Sequence, residues 1–559
     1  PIRSRSAFSY APMAFSDRIR LPPHPTFMST HEINPIQLAL FQARANAVAE
    51  EMGSVLQTSA YSPNIRERRD FSCALFDRNG SLFAQAAHIP VHLGSMSTAV
   101  RACLEAVPIQ PGISFLLNDP YQGGTHLPDL TLVTPVFAGP DTEHAFLVAS
   151  RAHHGDVGGD NPGSFAIVDH IDREGLRIPP TLAARQSELD PALVQRLMNV
   201  SRSPNERLGD LRAQLAANLL GAQRIKEWVE SEGLEPVEAF GLHARRYAQR
   251  FLHDWLKHLP YAEAEATQAM EGDGFDDRAH LIRLRLSHHP AGGLVFDFQA
   301  TNDQARGPIN CVRAVTLSAV AFVLRCLLPA DTPASDAILD PPCHVLTRQG
   351  SLLDAVFPAP VAAGNVETSQ RVVDTILEAL RSLLPPDTLP ALPQGTMNNV
   401  LIGRDTAPGS PGFAYYETLG GGTGASANHH GASAVHSSMT NTLNTPIETL
   451  EREYPLRILR YGLRTDSGGK GRMQGGDGLV RVYQALAPCR VTLFAERRTH
   501  GPDGANGGLP GAAGQHLLQR AGERGTLELK GKTTVDLDVG DILQIHTPGG
   551  GGFGPPPIG

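Results

Sequence analysis

Two apolar, β-branched-rich runs, Leu130 to Phe137 and Ala145 to Ser150, flank Ala138-Gly139-Pro140-Asp141-Thr142, a turn signal that commits the stretch to a β-hairpin. Each strand ends in a motif rich in metal-ligand side chains. Asn118-Asp119-Pro120-Tyr121-Gln122-Gly123-Gly124-Thr125-His126-Leu127-Pro128-Asp129 leads into the first, and Arg151-Ala152-His153-His154-Gly155-Asp156-Val157-Gly158-Gly159 leaves the second. In an antiparallel pair folded about residue 141, facing positions sum to about 282, which sets Asp129 opposite His153 with Cβ atoms roughly 4.5–5.5 Å apart. His126 stands just upstream of the same strand end. Two imidazoles and one carboxylate then form an open three-ligand set of the kind catalytic divalent metals use, with room for water or substrate. Adjacent strand residues point to opposite faces, so only one of His153 and His154 joins Asp129. This register selects His153; a one-residue change in the turn selects His154. A lone histidine at a sheet rim is usually an ordinary polar residue, and the convergence is what argues for ligands.

A chain of 559 residues exceeds the ~250–300 at which single cores stop growing, so several lobes are expected. Hydrophobic content of 41% and charged content of 19% belong to a soluble globular protein and exclude bulk disorder or fibre. A net charge of -9 supplies no basic footprint, which argues against nucleic acid and anionic membrane as partners. Cys73, Cys103, Cys311, Cys326, Cys343 and Cys489 are scattered without a Cys-x-x-Cys pair, the pattern of reduced, mostly buried thiols in a cytoplasmic protein. The longest apolar segment, Ala314 to Leu328, is broken by Ser318 and Arg325 and is too short to span a bilayer. Residues 1–27 carry four arginines and no apolar core for secretion; they read as an upstream extension ending near Met28, expected to be disordered.

The pattern of elements predicts an α+β, multi-lobed fold. Five regions are expected: the extension at 1–30, a hairpin-rich metal-site region at 31–200, a long helical pair at 201–265, an α+β region at 266–410, and a glycine-rich, strand-prone region at 411–559. Asn34 before Pro35 caps a helix running to about Thr58. Phe71 to Phe76 and Ser81 to Gln85 flank an Asn79-Gly80 hairpin signal. His88 and His92 precede a helix through about Val107, and either histidine can face a cleft or simply pack. Ser203-Pro204-Asn205-Glu206 reads as N-cap, N1 proline and capping-box glutamate. Gly525 to Thr533 imitates a Walker A loop, but its spacing is one residue too long and its residues alternate like a strand. Gly420 to Ala425 follows a strand without a helix behind it, which argues against a dinucleotide fingerprint. Both that turn and the Thr547 to Gly554 tail suit close backbone approach to a ligand; the bland reading of the tail is a flexible terminus.

Several ordered motifs carry a resemblance. Ser62 to Ser72 (SPNIRERRDFS), His88 to Met96, the two hairpin motifs, Ala363 to Gln370 (AGNVETSQ), Thr440 to Glu448 (TNTLNTPIE), Ser467-Gly468-Gly469 and the TPGGGGFG tail resemble the hydantoinase B/oxoprolinase family from about residue 31 to 555. The resemblance implies one half of an ATP-dependent machine, in which an ATP-binding, actin-like subunit of the hydantoinase A type phosphorylates the substrate and the B-type chain completes the reaction. Related acetone and acetophenone carboxylases carry a metal whose His-x-x-Asp and downstream His match His126, Asp129 and His153. The His154-Gly155-Asp156 wording is closer to the oxoprolinase branch. Gly163-Ser164-Phe165-Ala166-Ile167 departs from that branch's Gly-Ser-Met-Pro, which puts the substrate pocket in question.

The resulting expectation is the cytoplasmic B-type component of a hetero-oligomeric cyclic-amide hydrolase of the 5-oxoprolinase or N-methylhydantoinase type. A divalent metal (Zn, Mn or Fe) on His126, Asp129 and His153 activates water against the phosphorylated ring, with His154, Asp156 and His92 as candidates for orienting ligands or moving protons. The alternatives are a component of an ATP-dependent ketone carboxylase and a scaffold with a structural metal.

Overall fold

The computed structural model describes residues 34–86, 88–139, 143–290, 293–407 and 411–557. The expected disordered extension and turn residues 140–142 lie outside the described residues. The fold is α+β, with helices packed over four sheets.

Helix α1 (Pro35–Ser59) begins where the sequence provides both halves of a cap. The Gln37 N–H donates to the Asn34 side chain at 2.9 Å, and the Asn34 N–H donates back to Gln37 at 3.3 Å. A short helix, α2 (Pro63–Arg66), leads into β1 (Phe71–Asp77), β2 (Leu82–Gln85), helix α3 (Ser95–Ala106), β3 (Ile113–Leu117), β4 (Asp129–Val136), β5 (Phe146–His153), β6 (Thr181–Arg185) and β7 (Glu188–Leu189). These strands form one antiparallel sheet in the order β2-β1-β5-β4-β3-β6-β7. Within it β4 and β5 pair from Asp129 opposite His153 to Val136 opposite Phe146, the register the hairpin rule selects.

Helices α4 (Pro191–Val200), α5 (Pro204–Glu232) and α6 (Leu234–Leu256) follow. Phe146, Val148 and Ala152 of β5 pack with Phe41, Trp228 and Phe240 of α1, α5 and α6. Leu147 and Ala149 pack on the other face with Met96, Ala99 and Val100 of α3. Cover on both faces explains why these strands read as unbroken apolar runs. The same two-residue period turns Arg151 and His153 toward α3 and His154 away from it.

The start of α5 departs from expectation. Pro204 does occupy the first turn, but Ser203 makes no side-chain cap bond. Glu206 instead accepts from the buried Arg207, which also donates to Asp210, each at 3.1 Å. A guanidinium needing carboxylates outcompetes the capping box.

A second sheet, β11-β10-β9-β8, comprises β8 (Glu263–Glu271), β9 (Ala279–His289), β10 (Gly293–Asp297) and, beyond α7 (Arg313–Leu327), β11 (Cys343–Leu346). Helices α7 and α8 (Ser369–Arg381) bury Val315, Val320, Leu324, Val372 and Ile376 against Leu284, Leu286 and Phe296. The long apolar segment is thus a core helix, and no helix among the described residues is long and apolar enough to cross a membrane. The six cysteines are free, and all but Cys326 are buried.

The last region holds β12 (Asn399–Arg404), β13 (Phe413–Glu417), α9 (Ile447–Glu453), β14 (Leu456–Arg464), β15 (Gly478–Ala485), β16 (Cys489–Phe494), β17 (Gln515–Gln519), β18 (Leu527–Leu529), β19 (Lys532–Leu537) and β20 (Ile542–His546). They form the sheets β13-β12-β16-β19 and β14-β15-β20-β17-β18. The Walker look-alike runs from β18 into β19, strands of two different sheets. The tail is not a flexible terminus: residues 549–552 are buried, and their N–H groups meet protein carbonyls. Gly550 donates to Gly476 O at 2.9 Å, and a Cβ on it would lie 1.9 Å from Thr423 O. The two glycine-rich stretches pack backbone to backbone on each other, filling the space a ligand-cradling reading reserved for a small molecule.

Gly550→Ala is therefore expected to destabilise the fold by at least about 1–3 kcal/mol, the usual cost of overpacking. Gly525→Ala, where nothing lies within 4 Å of the added methyl, serves as the neutral control. Thermal unfolding of both variants checks the contrast.

Candidate metal centre

The hairpin delivers Asp129 and His153 as cross-strand partners, and the turn before β4 delivers His126. All three are buried, and one ligand-type atom from each lies within 4.8 Å of the others. His126 Nε2 stands 2.9 Å and His153 Nδ1 3.2 Å from the same carboxylate oxygen, Asp129 Oδ1. Oδ2 faces the other way, toward Thr125 Oγ1 at 3.1 Å, Asn365 Nδ2 at 3.2 Å and His92 Nε2 at 3.3 Å. His92 reaches this point from the single 3-10 turn Pro90–His92 ahead of α3, and its Nδ1 sits 2.9 Å from Ser72 Oγ on β1.

His126 Nδ1 lies 3.2 Å from Ala362 O, an acceptor only, so Nδ1 carries a proton and Nε2 is the nitrogen turned toward Asp129. Nε2 faces Asp129 Oδ1 outside hydrogen-bond geometry and has no hydrogen-bond partner among the described residues. His153 Nε2 is likewise buried without one. An imidazole nitrogen left without a hydrogen-bond partner 2.9 Å from a carboxylate oxygen suits a cation held between the two.

Burial alone raises the Asp129 carboxyl, but His126, His153 and His92 outweigh it and hold the group well below the ordinary range. Burial lowers His92 and His153, with Asp129 opposing in each case. Burial also lowers Arg151 to about 10; it bonds Thr131 and Ser95 just behind the cluster, each at 2.8 Å.

Aromatic rings wall the cluster. Tyr416 of β13 stacks on His153 with centroids 4.6 Å apart, and Phe165 stacks on Tyr416 at 5.5 Å while lying edge-on to His126 at 5.6 Å. The Gly163 to Ile167 departure thus places an aromatic ring directly against the candidate ligands. Arg68 lies 4.7 Å over the ring of Tyr416.

The structure does not bring His154 or Asp156 to this point. His154 Nε2 meets Gln214 Oε1 of α5 at 2.9 Å, and burial with Arg207 nearby lowers its pKa to about 4. Asp156 accepts from the Arg202 backbone N–H at 2.6 Å and from its guanidinium at 2.9 Å, pinning the loop after β5. Both act as structural supports, a correction to their expected role near the reacting centre. His88 accepts from Cys73 N–H at 3.1 Å and packs on Phe71. Asn365, Tyr416, Ser72 and Glu174 carry no periodic or spacing signal that assigns them here; Asn365 and Ser72 stand inside the family-like motifs without a role attached.

The fold and site define an α+β chain whose buried carboxylate is ringed by three imidazoles at one end of the interior strands β4 and β5 of a seven-stranded sheet. Its sequence matches the hydantoinase B/oxoprolinase profile over residues 34–556, and the chain belongs to that family. An uncharacterized protein of Methanocaldococcus jannaschii is 39% identical over 530 residues, 94% of this chain and 91% of that protein. Arabidopsis thaliana 5-oxoprolinase 1 is 39% identical over 93% of this chain, which spans only 42% of the plant protein. The putative B-type component of a Pseudomonas sp. D-/L-hydantoinase is 29% identical over 94% of this chain and 90% of its own length. The fold is shared with the ATP-dependent caprolactamase of Pseudomonas jessenii, TM-score 0.85 at 24% identity, covering 94% of this chain and 93% of that one. Acetone carboxylase in its nucleotide-free structure gives TM-score 0.85 at 17% identity, covering 93% and 76%.

Glu174 offers a pH test of the support beneath His126. Its carboxylate accepts from Val361 N at 3.1 Å and Ala362 N at 2.9 Å, holding the segment whose carbonyl faces His126, and burial raises it from 4.5 to about 8. The native group keeps a proton that the unfolded chain releases, so its contribution is fully present below about pH 4.5 and declines as pH rises toward 8, by up to about 1.4 kcal/mol per pH unit. Glu174→Gln removes that slope. Its melting temperature relative to wild type should climb between about pH 6 and pH 8; parallel pH profiles would show the carboxyl to be ionised.

Proposed function

We propose that this chain is the ring-opening, B-type component of an ATP-dependent cyclic-amide hydrolase, acting on a ring that a hydantoinase A-type ATPase partner has phosphorylated. The observation that carries the reading is the convergence of His126, Asp129 and His153 on one point, with His92 on the carboxylate's other oxygen. The names of relatives support the chemistry: 5-oxoprolinase, hydantoinase and ATP-dependent caprolactamase are each named for a cyclic amide.

The orphaned imidazole nitrogens and the mixed N/O donor set fit a divalent metal, which His126, Asp129 and His153 would hold. Such an ion, when bound, supplies Lewis acidity and lowers the pKa of water. The chain's own residues do the rest. Thr125 and Asn365 fix Asp129 Oδ2, so the carboxylate presents Oδ1 to the histidines. His92 holds or passes a proton on the line between Ser72 Oγ and Asp129 Oδ2. Phe165 and Tyr416 exclude bulk water from the reacting ring.

Asp129→Asn and His153→Ala should uncouple the two half-reactions in the purified complex. Ring opening is expected to fall at least ~10²-fold while ATP cleavage continues. Phosphate release, ring-opened acid and metal content are measured together. Full product yield per ATP with full metal content would move the site elsewhere. Bicarbonate-dependent turnover would identify carboxylase chemistry instead.

A further inference from the structure

We infer that the loop joining β8 to β9 holds a second divalent cation, bound by Asp273, Asp276 and His280 and separate from the candidate metal centre. One carboxylate oxygen of each aspartate and one imidazole nitrogen of His280 lie within 4.8 Å of one another. A mixed nitrogen and oxygen set suits zinc, manganese or cobalt(II) rather than calcium, which takes oxygen ligands.

Local chemistry builds this set. His280 stands on β9 opposite Met270 of β8, and both side chains are buried. Asp273, also buried, organises the turn: its carboxylate accepts from Phe275 N at 2.9 Å, Asp276 N at 3.2 Å and Gly307 N at 2.8 Å. Gly272 permits the tight return of the chain at φ +77°, where a Cβ would lie 2.4 Å from Asp276 O. Asp276 is exposed, so an ion can enter from solvent and complete its shell with water.

Two observations call for a cation there. Among the described residues neither Asp273 nor Asp276 has an ion-pair partner, whereas the adjacent Asp277 is paired with Lys530 at 2.7 Å. Lys532, which lies near His280, is committed to Glu496 and to Glu271 O. His280 is only 3% exposed, and its Nε2 is buried without a hydrogen-bond partner. An imidazole stripped of water and left unpaired is costly, and a bound ion relieves that cost. The side chain comes close enough to share an ion with both aspartates and makes no direct ion pair with either.

The ion fastens a loop that bears on the site already described. Gly274 packs so tightly on Ile167 that a Cβ would lie 2.8 Å from its side chain, and Phe165, two residues before Ile167, walls the candidate metal centre.

The test uses crystals of the full-length chain loaded with zinc and mapped by anomalous diffraction at the zinc edge. A peak among Asp273, Asp276 and His280 is expected, distinct from any at His126, Asp129 and His153. Asp276→Asn, a surface change that keeps the acceptor for Arg278 N, should abolish that peak and weaken calorimetric zinc binding to the loop at least about tenfold, the scale lost when even an outer contact to a ligand is removed. His280→Gln should do the same, and zinc should raise the melting temperature of wild type more than that of either variant. No peak in the loop, a peak that both variants keep, or one that needs millimolar zinc and so marks adventitious binding overturns the inference.

Discussion

The organising constraint is a carboxylate buried where it should not be stable. Taking Asp129 out of water is costly unless its oxygens are met. Each neighbouring element supplies a partner: β5 supplies His153, the turn before β4 supplies His126 and Thr125, the short turn before α3 supplies His92, and the π-helical turn Gly364–Thr368 before α8 supplies Asn365. Those partners come from segments more than 200 residues apart in the chain, since Asn365 is 236 positions from Asp129. The site is therefore a product of the assembled lobes, and no excised hairpin would reproduce it.

Support continues behind the first ring of contacts. Glu174 grips the backbone at Val361 and Ala362, and Ala362 O accepts from His126 Nδ1. On the other flank Asn64 donates to the His153 carbonyl and accepts from Arg68, whose guanidinium reaches Tyr416 O and Thr418. The SPNIRERRDFS motif is thus a brace between the metal-site sheet and the C-terminal region. Orientation of imidazoles through such outer contacts is the usual means of tuning a ligand set.

How much of this was legible depended on how local the cause was. The β4–β5 register follows from turn chemistry and a two-residue period, so the facing of Asp129 and His153 was readable from sequence alone. The α1 cap was readable for the same reason. The capping box at Glu206 was not, because Arg207 and Asp210 compete through tertiary contacts that no spacing rule records. His154 and Asp156 were grouped with the site by proximity in sequence, yet strand alternation turns one away and Arg202 claims the other. Tyr416 enters from a remote strand and left no local trace, and Asn365 stood inside a family-like motif that attached no role to it.

The interlocked glycines of the last region carry a consequence for synthesis. Gly422, Gly476 and Gly550 approach one another's backbones so closely that none of the three stretches has its final shape without the other two. Residues 411–546 must therefore wait, strand edges open, until the segment around Gly550 has emerged from the ribosome. During that interval the region is exposed to strand-edge pairing with other chains, so translation speed over the codons between residue 411 and Gly550 bears on the yield of native protein.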